Sequence, residues 1–134
     1  MRFNTALLHS AKLGDENTGA TLTPIYQSSA FYQPSAEQHE KLFHNKATGY
    51  SYTRINNPTI VAFEERMTNL EKGVGSVACS SGMAALTNAL LNIVGAGGEI
   101  VSSTGLYGGT IALFHDLEAF GIKTTFVELS LIHI

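Results

Sequence analysis

The chain has 134 residues, a net charge of −3 and a 44% share of hydrophobic residues, enough apolar material for a packed core and too much for a disordered tail. Only 14% of the residues are charged, against a usual figure of about 25%, so self-association, or cover from further sequence, is expected. The 8 Lys and Arg form no basic run suited to nucleic acid, the single Cys79 excludes an internal disulfide and fits a reducing, cytoplasmic setting, and neither MRFNTALLHSAKLG nor residues 83–98 read as a secretory signal or a membrane span.

Residues 1–34 have no sustained period and read as an arm, punctuated by Gly14, Asp15, Asn17, Gly19, Pro24 and Pro34. Within it Ile25, Tyr26, Ala30, Phe31 and Tyr32 need a partner surface. A helix starts at Ser35, which forms an S-x-x-Q capping box with Gln38, and runs to about Lys46, short of Gly49. YSYTRINNPT is polar and aromatic and reads as a loop as far as Asn57, an N-cap followed by Pro58 at the first helical position. Ile60, Phe63, Met67 and Leu70 share one face of the next helix, with Gly73 as its expected stop.

Short apolar strands then alternate with helices. The expected order is a strand over 76–79, a helix over 83–94, a turn over 95–98 and a strand over 99–102. A loop over 104–109, a helix over 110–120 closed by Gly121 and a strand over 122–129 follow. The helix over 83–94 is apolar on most sides and is therefore expected to be buried. Repeated strand–helix units argue for a parallel sheet covered by helices, and such sheets receive ligands at the carboxyl ends of their strands. The turns after Cys79 and Ser102 are the places of interest. The terminal LSLIHI reads as a truncated or artefactual end, since one sheet strand is a poor last element for a compact α/β domain.

Several motifs bear on chemistry. Residues 73–78 spell G-x-G-x-x-A, but these glycines precede a strand, whereas a dinucleotide fingerprint needs them after one, so a helix stop is the better reading. His39 and His44 are five residues apart, about 140° around a helix, and are not expected to share a metal. Cys79 reads as a small buried residue at a strand end rather than a nucleophile. Ser80-Ser81-Gly82-Met83 joins a strand to a helix and has three readings. It is a plain serine N-cap, a phosphate seat of backbone amides at the positive end of the helix dipole, or a nucleophile elbow built on Ser80. Tyr107, beside Gly108 and Gly109, is either an exposed loop residue or a ring offered to a flat heterocycle, with a hydroxyl that can move a proton. Tyr52 and Arg54 offer a hydroxyl and a rigid fork of donors suited to phosphate or carboxylate, although a lone loop arginine is usually just solvated.

The stretches TLTPIYQSSAF, YSYTRINNPT, LEKGVGSVACSSGMAAL and STGLYGGT, in this order, resemble the pyridoxal-phosphate enzymes of cysteine and methionine metabolism, over the chain as far as about Glu128. The resemblance implies an α/β fold of the aspartate-aminotransferase type, incomplete here, with residues 1–56 as an N-terminal arm and cofactor-clasp loop and residues 57–134 as the start of the cofactor domain. It implies that Tyr52 and Arg54 bind the cofactor phosphate of a neighbouring subunit. Ser81, Gly82 and Met83 would hold the same phosphate, and Tyr107 would stack on the pyridine ring and take part in proton transfer. It further implies a small amino-acid substrate, a homo-oligomer (a homotetramer) with shared active sites, and no nucleic-acid or membrane partner.

Within that family the arm and the LYGGT loop look most like the O-acetylhomoserine sulfhydrylases, with cystathionine γ-synthases and the cystathionine and methionine γ-lyases as alternatives. Methionine γ-lyases often carry a cysteine where this chain has Gly109. The family's Schiff-base lysine lies well downstream, and none of Lys12, Lys41, Lys46, Lys72 or Lys123 matches its context, so the chain is expected to have no turnover alone. A serine hydrolase fragment using Ser80 and a non-catalytic association remnant are the readings from other classes.

Overall fold

The computed structural model describes residues 2–10 and 14–129. Its elements run α1 (Phe3–His9), α2 (Ala36–Phe43), α3 (Pro58–Glu71), α4 (Gly82–Ile93), β1 (Glu99–Ser103), α5 (Gly108–Glu118) and β2 (Lys123–Val127). Two compact units result, Met1–Ala78 and Cys79–Ile134. The residues of LSLIHI after Leu129 lie outside the described part.

In the second unit the alternation read from sequence becomes a β–α–β crossover. β1 and β2 are parallel, in register from Glu99 opposite Lys123 to Ser103 opposite Val127. Parallel neighbours need a long connection, and α5 supplies it. Phe114 and Leu117 of α5 and Ile122, just ahead of β2, are the buried apolar centre, with Leu90, Val94, Ile100, Leu113 and Phe126 packed around them. Each full burial of this kind is worth about 1.5–3 kcal/mol. Gly121, at φ 77°, closes the helical segment where the sequence reading places the stop.

Several features of this unit differ from expectation: α5 ends at Glu118 rather than 120, and β2 spans Lys123–Val127 rather than 122–129. α5 starts at Gly108, which shortens the preceding loop to 104–107. α4 has no buried residue. Leu90 packs on the core, but Leu91 is 51% and Ile93 80% exposed, because a helix apolar on most sides needs cover on most sides and this unit covers one.

The first unit is built around α3. Asn57 caps it, accepting the Thr59 N–H at 2.9 Å, and Pro58 takes the first turn where no N–H is required. Its stop differs by one residue from the reading. Lys72 takes the left-handed conformation, φ 55°, and Gly73 donates its N–H to the Thr68 carbonyl at 2.9 Å. α2 is capped by Ser35, which accepts the Gln38 N–H at 3.1 Å, and ends at Phe43 rather than near Lys46. The arm contains a helix that the sequence reading lacks. This is α1, which packs on α3, with the Asn69 side-chain amide donating to the Ser10 carbonyl.

Residues 76–79 run without a ladder partner among the described residues, so the expected strand is not formed. Side chains and carbonyls of α3 take the place of a neighbouring strand. Ser76 Oγ donates to the Glu64 carbonyl, and Ala78 donates its N–H to Glu64 Oε1 at 2.8 Å.

Candidate functional site

The loop carrying Tyr52 and Arg54 belongs to the first unit and is fixed from two sides. On one side it pairs with the arm. Ala30 and Tyr52 form an antiparallel bridge, flanked by Phe31 N–H donating to the Ser51 carbonyl at 3.0 Å and Thr53 N–H to the Ser29 carbonyl at 2.9 Å. Thr53 Oγ1 adds a bond to the Ser28 carbonyl. On the other side the loop turns into α3. Ile55 and Asn56 donate their N–H groups to the Tyr52 carbonyl at 2.9 and 3.1 Å.

Asn57 joins the two sides and is 3% exposed. Its Nδ2 donates to the Tyr26 carbonyl at 3.0 Å and to Thr53 Oγ1 at 3.1 Å, while its Oδ1 caps α3. Thr59 Oγ1 accepts the Tyr26 N–H at 2.9 Å and locks the same stretch of arm.

Above this lattice the two candidate residues remain accessible. Tyr52 is 44% exposed, and the Arg54 guanidinium lies 5.5 Å from its ring centroid. Stacking of this kind uses the guanidinium face and is compatible with in-plane N–H donation to a phosphate. Clefts of about 390 and 570 Å³ in this unit are both lined by Tyr50, but neither by Tyr52 or Arg54. The pair is presented outward rather than into a pocket of its own unit.

The second unit carries the turn before α4. Ser81 is the N-cap, accepting the Ala84 N–H on Oγ at 3.1 Å and the Ala85 N–H on its carbonyl at 3.0 Å. The amides of Gly82 and Met83 then have no partner within the helix, as the geometry of any helix start dictates. Gly82 is exposed, and a Cβ built on it meets nothing within 4 Å, so the approach to those amides is open. Cys79 Sγ accepts from Asn88 Nδ2 at 3.6 Å, which ties the turn to its own helix. Ser80 is exposed and stands one residue ahead of the cap.

Tyr107 is the N-cap of α5, with its carbonyl accepting the Thr110 and Ile111 N–H groups at 2.9 and 3.2 Å. Its ring is 75% exposed and leans over Gly109, where an added Cβ would fall 2.6 Å from Tyr107 Cε1. The missing side chain at Gly109 is therefore what permits this ring position. Gly82, Met83 and Tyr107 all stand at helix starts in one parallel α/β unit, Met83 half-buried and the other two exposed.

Among the described residues no group of three His, Cys, Asp or Glu could hold a metal, and no helix is long and apolar enough to cross a membrane. His39 instead packs on the Phe43 ring, 4.9 Å between centroids. The Asp15 carboxyl is held in its ionised form by its neighbours. Hydrogen bonds from Thr18 first, then from Asn17, hold its carboxyl below the ordinary 3.8.

Turns that present helix-start amides and an exposed ring beside parallel strands define an α/β protein with ligand-facing loops. The chain belongs to the Cys/Met metabolism PLP-dependent enzymes, whose family model matches residues 4–133. It is 48% identical over 127 residues to the O-acetyl-L-homoserine sulfhydrylase of Corynebacterium glutamicum, covering 94% of this chain and 29% of that one. It is 42% identical to the cystathionine gamma-lyase of Bacillus subtilis, covering 97% of this chain and 32% of the relative.

The fold matches a Campylobacter jejuni protein assigned as an O-acetylhomoserine (thiol)-lyase, with a TM-score of 0.87, 31% identity, and coverage of 97% of this chain and 32% of that one. That structure carries N'-pyridoxyl-lysine-5'-monophosphate. The expected PLP-enzyme fold is thus found, and the chain spans about 30% of the length of the curated relatives it matches.

Two residues were missed from sequence. Asn57 is legible as a cap, but its second role depends on Tyr26, 31 positions away. Glu64, which anchors Ser76 and Ala78, gives no local signal at all.

Proposed function

We propose that this chain supplies part of the cofactor site of a PLP-dependent sulfur amino-acid enzyme of the O-acetylhomoserine sulfhydrylase type. The reaction is γ-replacement: acetate leaves O-acetylhomoserine, sulfide adds at the same carbon, and homocysteine results, a step of methionine biosynthesis. The 48% identity to one sulfhydrylase supports this choice over the lyases, which match at 35–43%, while a second sulfhydrylase matches at 41%. Gly109, where methionine γ-lyases often carry a cysteine, supports it too.

The observation that carries the reading is the open turn at the start of α4. Its Gly82 and Met83 amides, with the Ser81 hydroxyl beside them, would receive the cofactor phosphate, favoured by the helix dipole. Tyr52 and Arg54 would close on the phosphate of a neighbouring subunit, and their exposure fits a site shared between copies in a homotetramer. Tyr107 would lie against the pyridine ring and hold or move a proton at its hydroxyl. The bound cofactor supplies an electron sink for the amino-acid carbanion, and these residues bind and orient it.

The proposed functional division, an arm and clasp over 1–56 and the start of the cofactor domain over 57–134, falls at Asn57, where the loop becomes α3. The proposed setting is cytoplasmic.

The test uses the longest natural reading frame that carries this sequence. The expected result is a visible absorption band that borohydride abolishes. A protein with no such band, whose Ser80 is instead labelled by a fluorophosphonate, would replace this reading with the hydrolase one.

A further inference from the structure

We infer that Asn57 is a positioning residue for the phosphate clasp, an inference that rests on the reading of Tyr52 and Arg54 as phosphate ligands. The amide performs two separable tasks with two different atoms. Oδ1 accepts the Thr59 N–H and caps α3. Nδ2 donates to the Tyr26 carbonyl and to Thr53 Oγ1, and so draws the arm and the loop onto the same point.

Thr53 is the residue between Tyr52 and Arg54, and its own hydroxyl is already committed as a donor to the Ser28 carbonyl. It can therefore meet Asn57 only as an acceptor, and the donor must come from the Asn57 side. A helix needs no buried primary amide for its start. Aspartate caps as well but donates nothing, and serine caps with a single short O–H in place of two N–H donors, so neither serves both the arm carbonyl and the Thr53 hydroxyl. With Asn57 3% exposed, solvent cannot supply it either. The second task thus explains why an amide, rather than any good cap, stands here.

Asn57→Asp separates the tasks. The carboxylate keeps the cap and removes both donations, placing an acceptor against an acceptor. In the longest natural reading frame, affinity for pyridoxal 5'-phosphate should fall about tenfold, the loss of one charge-assisted contact from a misplaced clasp. Affinity for pyridoxal, which lacks the phosphate, should stay within about twofold of the unsubstituted protein. Far-ultraviolet circular dichroism should show α3 retained.

Combined with Arg54→Ala, Asn57→Asp should add little further loss, because both act through one contact. Equal weakening of the two ligands, or full additivity with Arg54→Ala, would overturn the positioning role. If Asn57→Asp does not fold, Asn57→Ser, which also caps and lacks the amide's two N–H donors, must show the same selective loss or the inference fails. An unsubstituted protein that does not prefer the phosphorylated ligand would sink the reading of the clasp itself, a result distinct from the other two.

Discussion

The two units are held by different physics. The second has an apolar centre of Phe114, Leu117 and Ile122, a two-stranded parallel ladder and a helix across it. Among the described residues the first has no buried apolar side chain, and its one buried residue, Asn57, is polar. What shapes it is a lattice of side-chain to backbone bonds linking arm, loop and α3, spanning 31, 33 and 25 positions at Asn57–Tyr26, Tyr26–Thr59 and Thr53–Ser28. An apolar core is non-directional and tolerant in detail, whereas a polar lattice fixes atoms at defined distances but stabilises weakly, since each bond nets only about 0.5–1.5 kcal/mol. The candidate clasp is on the polar unit, where geometry matters, and the helix-start amides are on the apolar one, where a rigid frame does.

Leu117→Ala should break this contrast most visibly. Leu117 is 2% exposed, and truncation of such a side chain costs about 2–5 kcal/mol. Amide exchange should accelerate throughout 108–127 while the Asn57, Thr59 and Thr53 amides keep their protection. Equal loss in both units would show that they unfold as one block.

Arg54→Ala addresses the other unit. It should weaken pyridoxal 5'-phosphate binding in the longest reading frame by about 1.5–3 kcal/mol, the range for hydrogen bonds to charged groups, without lowering the melting temperature. The stacked Arg54 guanidinium contributes at the surface, where loss of a partner ring contact is cheap. Unchanged affinity by fluorescence titration would remove Arg54 from the clasp.

Ser81 tests whether cap and phosphate seat coincide. Ser81→Ala should cost α4 about 1 kcal/mol through the lost bond to the Ala84 amide. Ser81→Asp should restore that stability, yet lower affinity for phosphorylated ligand, because a carboxylate now occupies the positive helix end. Ligand affinity that survives Ser81→Asp would place the phosphate elsewhere.

Local chemistry was legible in the sequence and tertiary chemistry was not. Ser35 and Asn57 are caps in the structure as in the reading, and Ser81 is the cap that was one of three readings of its turn, because capping needs only the next three residues. The β1–α5–β2 alternation is legible because its apolar spacing is strong and Gly121 marks the helix end. α1 is not, since its seven residues carry no side-chain cap and leave Phe3 66% and Leu8 62% exposed. The expected strand at 76–79 fails for the opposite reason. Its residues suit a strand, but a strand exists only with a neighbour, and α3 offers Glu64 instead. Tyr52, Arg54 and Tyr107 were visible as motifs, while the residues that hold the loop in place come from the arm, far away in sequence.

The smallest expected effect is at the edge of the polar unit. Asp15 accepts from Thr18 Oγ1 at 2.8 Å and from the Asn17 N–H at 3.1 Å, while its own N–H donates to the Ala20 carbonyl at 3.0 Å, closing a tight turn. These donors favour the ionised carboxyl, so its midpoint lies below the ordinary 3.8. For an acid with a depressed folded value, the contribution is fully present above 3.8 and is lost as pH falls through the lower folded value. Because its partners Asn17 and Thr18 lie in the same turn, only the turn should respond. In a nuclear magnetic resonance titration the Asn17 and Gly19 amides should shift together below 3.8, with β2 unaffected. Thr18→Val removes the leading cause and should raise the midpoint toward 3.8. A midpoint indifferent to that change would mean the turn is set by its backbone bonds alone, and that the polar unit draws less on side chains than the lattice around Asn57 implies.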